Sequence, residues 1–514
     1  MLESWFRHSF IYVFITQYIN HSVVARAFEW IGKVIVDSKV ASILRAFAMR
    51  PYYPDGSFIY RLLEKLNRKS ALFRDRMALY LKESFIYRLL SDSKAYRLIT
   101  MLFVPMAALY AFIDEFGRKV FGNSSWFGLW DEAFLLASIL YVFLTWFFNQ
   151  REPLKITPVG APMVLLISVT FCLFLINSTY PKLGLDGLRV IVQYVLWFFI
   201  MNSFITDDDK AYLVLRFLVY GGGVMGLHGI LQFIMKVPTP SHWTDAAEGN
   251  TTTRVFSIVE SPNILGSIFI LMIPLCFAMV LQRKLGKWER LILFGLFGAM
   301  GISLILTQSR GAWLGAAIAA FVFCISINPR WLFILGIGGS GLLLVPPVMN
   351  RISYLLSPQY IISSMTGGRL MRYQKGMEIF RQNKLLGVGL GHFGGAVAMN
   401  NKDLIPDTFY MDNYWLKTAV EMGLVGLLAF GLLVLILVIW SIRSVKQCKD
   451  FDTKLIAAAG FAGMCGVLTH NLIENVFEVP YMVVYFWIIA SIVLYFGLRR
   501  KSHIPGTHVD NKVH

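Results

Sequence analysis

From about residue 98 onward, long apolar segments alternate with short polar ones, and this pattern limits the fold more than any other feature of the chain. About 20 apolar residues in a row is the length a helix needs to cross the hydrocarbon core of a bilayer. Inside that core every backbone N–H and C=O must be paired within the protein, so repeated segments of this kind imply spanning helices. The pattern predicts an all-α polytopic membrane protein with about twelve transmembrane helices. They begin near Leu98, Phe134, Pro158, Gly187, Leu213, Ile264, Leu291, Ala312, Trp331, Asp412, Leu455 and Tyr481. The spacings Gly222/Gly226 and Gly311/Gly315 would let neighbouring helices approach closely.

Composition agrees. Only 15% of the 514 residues are charged, against about 25% in soluble domains. That deficit excludes a disordered chain, a secreted disulfide scaffold and an ordinary cytosolic enzyme. The five cysteines form no CxxC pair, and all but Cys448 sit in apolar runs. The sequence offers no metal-binding cluster. Its start lacks the basic, apolar and small-residue order of a cleavable signal peptide.

A hydrophobic chain with 48 Lys and Arg against 31 Asp and Glu carries a net charge of +17, which needs an explanation. About half of it, +8, lies in residues 1–97, which lack any span-length apolar run. There Ser57-Phe-Ile-Tyr-Arg-Leu-Leu63 recurs as Ser84-Phe-Ile-Tyr-Arg-Leu-Leu90, with an echo at Ser9-Phe-Ile-Tyr12. The repeated unit reads as an amphipathic helix, and Pro51-Tyr-Tyr-Pro54 as the linker between two such segments. A basic, aromatic amphipathic helix suits an anionic membrane surface or a protein partner. No nucleic-acid-binding module is present to match the charge.

Further Lys and Arg flank the spans at Arg151–Lys155, Arg283–Arg290, Arg443–Lys454 and Arg499-Arg500-Lys501. The positive-inside rule puts these loops, and with them both termini, in the cytoplasm. The expected organisation is a cytoplasmic basic region at 1–97, a transmembrane domain at 98–498, and a cytoplasmic tail at 499–514. Three extracytoplasmic segments then stand out: Pro238–Pro262, Thr307-Gln-Ser-Arg310, and a long loop over 348–411. Roughly 60 residues between two spans exceeds an ordinary connection and points to function. Within it, Leu370, Tyr373, Met377 and Phe380 recur at helical spacing, and Leu385-Leu-Gly-Val-Gly-Leu-Gly-His392 reads as a Gly-rich turn.

On this topology Arg310 lies at the outer edge of the hydrocarbon, where the positive-inside rule gives no reason for it. A charge at such depth needs a partner or a water-filled cavity, although an acid-paired or snorkelling arginine would also serve. Arg254 lies just before Ser261-Pro-Asn263, which opens a helix, and Arg369 opens the helix of the long loop. Three arginines converging on one face would suit a diphosphate, because guanidinium groups bind phosphate oxygens bidentately and stabilise charge on a leaving group.

Thr307-Gln-Ser-Arg-Gly-Ala-Trp-Leu314, Gly368-Arg369 with Tyr373, Leu386-Gly-Val-Gly-Leu-Gly-His-Phe393 and Asp412-Asn-Tyr-Trp-Leu416 followed by Glu421-Met-Gly-Leu-Val-Gly-Leu427 resemble the motifs of the O-antigen ligase/O-antigen polymerase superfamily. Arg254 with Ser261-Pro-Asn263 resembles its upstream arginine motif, and the likeness covers about residues 130–498. The resemblance implies a bacterial inner-membrane glycosyltransferase of the all-helical C type. Such enzymes take a glycan from an undecaprenyl-diphosphate carrier on the outer face and need no nucleotide sugar, metal or other cofactor. Ligases pass the glycan to a lipid or protein acceptor, polymerases to another lipid-linked glycan. By position, Arg254, Arg310 and Arg369 would bind the diphosphate.

The chain departs from the family at the general base. Many ligases carry His-Asn at the head of the tenth span, where this chain has Asp412-Asn413. Asp412 is therefore the candidate base, which tilts the reading towards a polymerase, although Asp is also a favoured helix cap. His392 and His470 are rival bases, each open to a structural reading. Lys417 and Glu421 are expected to pair at i, i+4, and His228 to hydrogen-bond between helices. A transporter or flippase for lipid-linked glycans would use similar basic residues, but no clear repeat of two halves is present. The basic region at 1–97 could also serve as a scaffold that recruits cytoplasmic enzymes of envelope polysaccharide synthesis, alongside the transferase reading.

Overall fold

The computed structural model describes residues 93–122, 124, 127–149, 157–240, 253–343 and 346–498, with isolated positions between 26 and 84. Apart from those isolated positions, the repeated units of the N-terminal region fall outside the described residues. So do the Pro51–Pro54 linker, the Arg151–Lys155 loop and the tail from 499.

All regular structure among the described residues is helical. The chain runs through α1 (Ser93–Ala108), α2 (Tyr110–Phe121), α3 (Trp130–Asn149), α4 (Gly160–Ile176), α5 (Pro181–Val195), α6 (Trp197–Phe204) and α7 (Asp208–Ile234). There follow α8 (Pro262–Val280), α9 (Lys287–Leu306), α10 (Arg310–Ile327) and α11 (Trp331–Leu343). The long connection holds α12 (Pro346–Leu355), α13 (Pro358–Thr366), α14 (Arg369–Gln382) and α15 (Ala396–Asn400). Three helices end the fold: α16 (Tyr414–Gln447), α17 (Phe451–His470) and α18 (Pro480–Leu498).

Among the described residues, nine helical segments are long and apolar enough to cross a membrane. The other three expected spans fall on α1, α4 and α11, of 16, 17 and 13 residues. Each is shorter than the roughly 20 residues of a perpendicular crossing. Helices α8, α17 and α18 are buried along most of their length, whereas α9 and α10 expose much of theirs. Exposed Leu291, Phe294 and Ile302 on α9 are what a lipid-facing helix presents.

Small residues bring the central helices together. A Cβ on Gly315 of α10 would lie 2.8 Å from the Gly466 carbonyl oxygen of α17, and one on Gly311 would lie 2.8 Å from the His470 ring. One on Gly226 of α7 would come within 2.9 Å of the Met300 backbone in α9. Helix backbones this close gain dispersion contacts that larger side chains would prevent.

Helix α16 is broken at Gly423, where φ is 63° and ψ −164°. The Gly-rich segment of the long connection docks into the break. Val388 N and Gly389 N donate to the carbonyls of Val420 and Glu421, at 2.9 and 3.1 Å, and Leu424 N donates to the Lys384 carbonyl at 2.7 Å. A Cβ on Gly387, itself at φ +73°, would lie 2.4 Å from the Glu421 backbone. The loop thus satisfies backbone groups that the break exposes, as a low-dielectric setting requires.

The helix expected from Arg369 onward is α14, but its buried face differs from the predicted stripe. Tyr373, Ile379 and Phe380 pack against Phe393, Met411 and Val420. Leu370 and Met377 stay exposed, at 41% and 39%. Gly376 sets this rotation: a Cβ there would meet Met411 Cε at 2.6 Å, so α14 lies down on its glycine side.

Candidate functional site

Short capped turns bring several helix ends together at one end of the bundle. Ser261 caps α8 by accepting from Ile264 N, Ser309 caps α10 by accepting from Ala312 N, and Asn413 caps α16 by accepting from Leu416 N. These serine and asparagine caps satisfy helix N–H groups that would otherwise lack partners. The turn between α9 and α10 holds Gln308 at φ 52°, and the segment before α8 holds Ser257 and Glu260 at 52° and 55°. Non-glycine residues in this left-handed region are uncommon and concentrate at functional sites.

Between these ends and the long connection lies a cavity of about 810 Å³. Arg254, Arg310, Arg369, Asp412 and His470, all singled out from the sequence, line it. His392 is not among the lining residues. Its Nδ1 is 2.7 Å from the Leu390 carbonyl oxygen, its Nε2 accepts from Tyr180 N at 3.3 Å, and its ring stacks on Tyr180. Both ring nitrogens are therefore engaged in holding the Gly-rich loop.

Five arginines and two carboxylates face the cavity: Arg254, Arg310, Arg351, Arg369 and Arg372 with Asp412 and Glu474. Arg254 donates from Nε to the Thr307 carbonyl at 3.1 Å and from Nη2 to Asn263 Oδ1 at 3.3 Å. The Arg310 guanidinium lies 5.6 and 5.1 Å from the ring centres of Tyr354 and Tyr360, within cation–π range. Arg351 donates to Gln308 Oε1 from Nε and Nη2, at 3.3 and 3.2 Å. Arg369 Nη2 is 3.2 Å from Glu474 Oε2 and its Nε is 3.9 Å from Asp412 Oδ2. Arg372 Nη1 makes the shorter contact to that Asp412 oxygen, 2.8 Å.

Asp412 does not cap α16, the structural role its residue type allowed; the neighbouring Asn413 does. The Asp412 side chain is left for the cavity and its arginines. Burial pushes the Asp412 carboxyl above the usual range, and Arg369 and Arg372 partly offset this. Burial pushes the Glu474 carboxyl up to about 7, against the opposing pull of Arg369 and with a further push from Asp412. The Tyr373 hydroxyl fixes the backbone here, at 3.0 Å from the Asp412 carbonyl oxygen.

His470 ends α17 against the same cavity, with Nδ1 2.8 Å from Ser267 Oγ. Ser267 donates its own proton to the Asn263 carbonyl at 3.0 Å, so His470 Nδ1 is the donor in their contact. The remaining nitrogen lies on the Gly311 side, 2.8 Å from where a Cβ on that residue would sit.

Lys417 and Glu421 pair at 2.7 Å, and Glu478 completes a buried trio, 3.2 Å from Lys417. Glu421 also accepts from Phe393 N, and Glu478 from Ala396 N. His228 contacts Ser257 Oγ at 3.1 Å. It therefore binds the turn before α8 rather than another helix, because the left-handed turn brings Ser257 back over α7.

Arg351, Arg372 and Tyr360 were not singled out from the sequence. Arg372 carried a signal, lying three residues after Arg369 and so on the same side of α14. Glu474, four residues after His470, lines the cavity beside it.

Residues 295–431 match the family model described as O-antigen ligase. The match runs from within α9 to within α16 and includes Arg310, Arg351, Arg369, Arg372 and Asp412. No curated protein matches the chain.

Proposed function

We propose that this chain, a glycosyltransferase-like membrane protein of the O-antigen ligase/polymerase superfamily, moves a glycan from an undecaprenyl-diphosphate carrier to an acceptor-glycan hydroxyl on the outer face of the bacterial cytoplasmic membrane. The transmembrane domain at 98–498 would carry the reaction and both termini would be cytoplasmic, with residues 1–97 docked at the inner surface. The supporting observation is the cavity in which five arginines from four separate segments meet two buried carboxylates at one end of the bundle.

Arg254, Arg310 and Arg369 bind the diphosphate, and Arg351 and Arg372 add to the positive field. Asp412 accepts the proton of the acceptor hydroxyl as its oxygen bonds to C1 of the donor sugar. The C1–O bond to phosphate breaks on the opposite side, inverting that carbon, and undecaprenyl diphosphate leaves with its charge held by the arginines. No metal or nucleotide sugar enters this scheme. His470, held by Ser267, remains the rival base on the cavity wall.

The carboxylate at 412, where many ligases have histidine, favours polymerisation of envelope repeat units over ligation onto a lipid or protein. The test is purified protein supplied with a lipid-linked repeat unit. Polymerisation gives a ladder of longer lipid-linked products. A single transfer onto an added lipid or protein acceptor indicates a ligase. Movement of carrier across liposomes with no new glycosidic bond would overturn the reading in favour of transport.

A further inference from the structure

A fixed negative charge is a poor neighbour for a diphosphate, yet Glu474 lies buried in the arginine cavity. Its position is specific. The same oxygen, Oε2, contacts Arg369 Nη2 at 3.2 Å and accepts from Asn263 Nδ2 at 2.5 Å. Asn263 Oδ1 in turn accepts from Arg254 at 3.3 Å. One carboxylate oxygen therefore ties an arginine of the long connection to the arginine preceding α8, across the cavity. Both belong to the proposed diphosphate site.

We propose that Glu474 is a positioning residue that exchanges its arginine for a proton: an incoming diphosphate draws Arg369 from Glu474 to phosphate, and Glu474 takes up a proton, so that donor binding is coupled to proton uptake. This rests on the diphosphate reading above.

Electrostatics gives the reason. Arg369 is the main positive charge acting on Glu474, with Arg372 a smaller one and Asp412 a negative neighbour. Tyr410 before α16, Tyr373 on α14 and His470 on α17 complete the titratable surroundings, and Arg254 acts through Asn263. Burial already holds the carboxyl up to about 7 with Arg369 in place. Once phosphate shares Arg369 and brings its own negative charge, the ionised form loses its counter-ion and gains a repulsive neighbour. Protonation removes both penalties and leaves an O–H able to donate to the ligand. Asp412 keeps its shorter contact to Arg372, so the two carboxylates divide the work: Asp412 stays ionised for the acceptor and Glu474 becomes neutral for the donor.

The experiment is calorimetric titration of the full-length protein with a short prenyl-diphosphate-sugar diester, whose phosphates stay ionised throughout. It is done at about pH 7.5 in buffers of different ionisation enthalpy. Net proton uptake is expected, with affinity falling as pH rises above about 7. Glu474→Gln should bind the diester without uptake and with a flat pH dependence, whereas Asp412→Asn should retain the uptake. Binding by the unmodified protein without proton exchange overturns the coupling and leaves the diphosphate site standing; that measurement needs no variant to fold. Uptake that persists in Glu474→Gln, or vanishes in Asp412→Asn, overturns the assignment to Glu474. Failure of the unmodified protein to bind the diester overturns the diphosphate reading itself and this inference with it.

Discussion

Two charged clusters lie near the head of α16, and they are built on opposite principles. Lys417 sits between Glu421 and Glu478; Glu421 also accepts the Phe393 N–H at the end of the Gly-rich loop and Glu478 the Ala396 N–H at the start of α15. That cluster is closed, its one cation held between two carboxylates and its members all but removed from solvent. Around Asp412 five arginines face two carboxylates across a cavity. Positive charge is in surplus there and has room to meet something else. A buried charge whose partners are all internal holds a fold together; the same chemistry left unbalanced beside open space suits an anion, as the proposed diphosphate site requires.

The sharpest way to break this comparison is to remove a charge from each side. Lys417→Met leaves two carboxylates buried without their cation, which should cost about 3–5 kcal/mol. Thermal unfolding in detergent should fall steeply, or the protein should fail to accumulate in the membrane. Arg310→Ala and Arg254→Ala should instead leave unfolding nearly unchanged and lower glycan transfer by about 10²–10³-fold. If the two kinds of variant behave alike, the division into structural and functional clusters is wrong.

Asp412→Asn keeps the side-chain shape and leaves the Asn413 cap in place. If Asp412 is the base, as proposed, this change should reduce turnover by about 10²–10⁴-fold with little effect on donor binding. Near-normal turnover would pass the role of base to His470. A smaller effect is expected from Gly311→Ala, whose new methyl must push aside the His470 ring. Overpacking of this kind costs about 1–3 kcal/mol and should appear as a lowered unfolding temperature.

The finest distinction is pH. Glu474 has its carboxyl raised from the ordinary 4.5 to about 7 in the folded chain, through burial. Folding therefore binds a proton in the window between those values. The stability contribution is fully present below about pH 4.5 and is lost as pH rises through about 7. Glu474→Gln should flatten that part of the stability profile, measured as unfolding temperature against pH, while Lys417 variants should not.

Features carried by local pattern were legible in the sequence. Twelve apolar segments map onto helices, and three arginines chosen because topology did not call for them line one cavity. The Lys417–Glu421 pair follows from spacing of four on a helix. What the sequence hid depends on contacts across the fold. Asp412 and Asn413 are both good caps by type, and the contacts of Arg369 and Arg372 on α14 with Asp412 separate their roles. Glu478 joins Lys417 from more than sixty residues away, and Glu474 gains its meaning from Arg369 and Asn263 on other elements. Helical spacing grouped Leu370 and Met377 with Tyr373, but it carried no sign that Gly376 would let α14 settle onto another side.

The break at Gly423 also bears on how the protein is assembled. Helix α16 follows the long connection in the chain, yet part of its own backbone is completed by residues 384–389 of that connection. During synthesis those residues emerge first and must fold back once α16 has entered the bilayer. Until they do, carbonyls of α16 around the break face a medium without hydrogen-bond donors. Completion of the helix therefore depends on docking of the same connection that carries Arg351, Arg369 and Arg372 to the cavity.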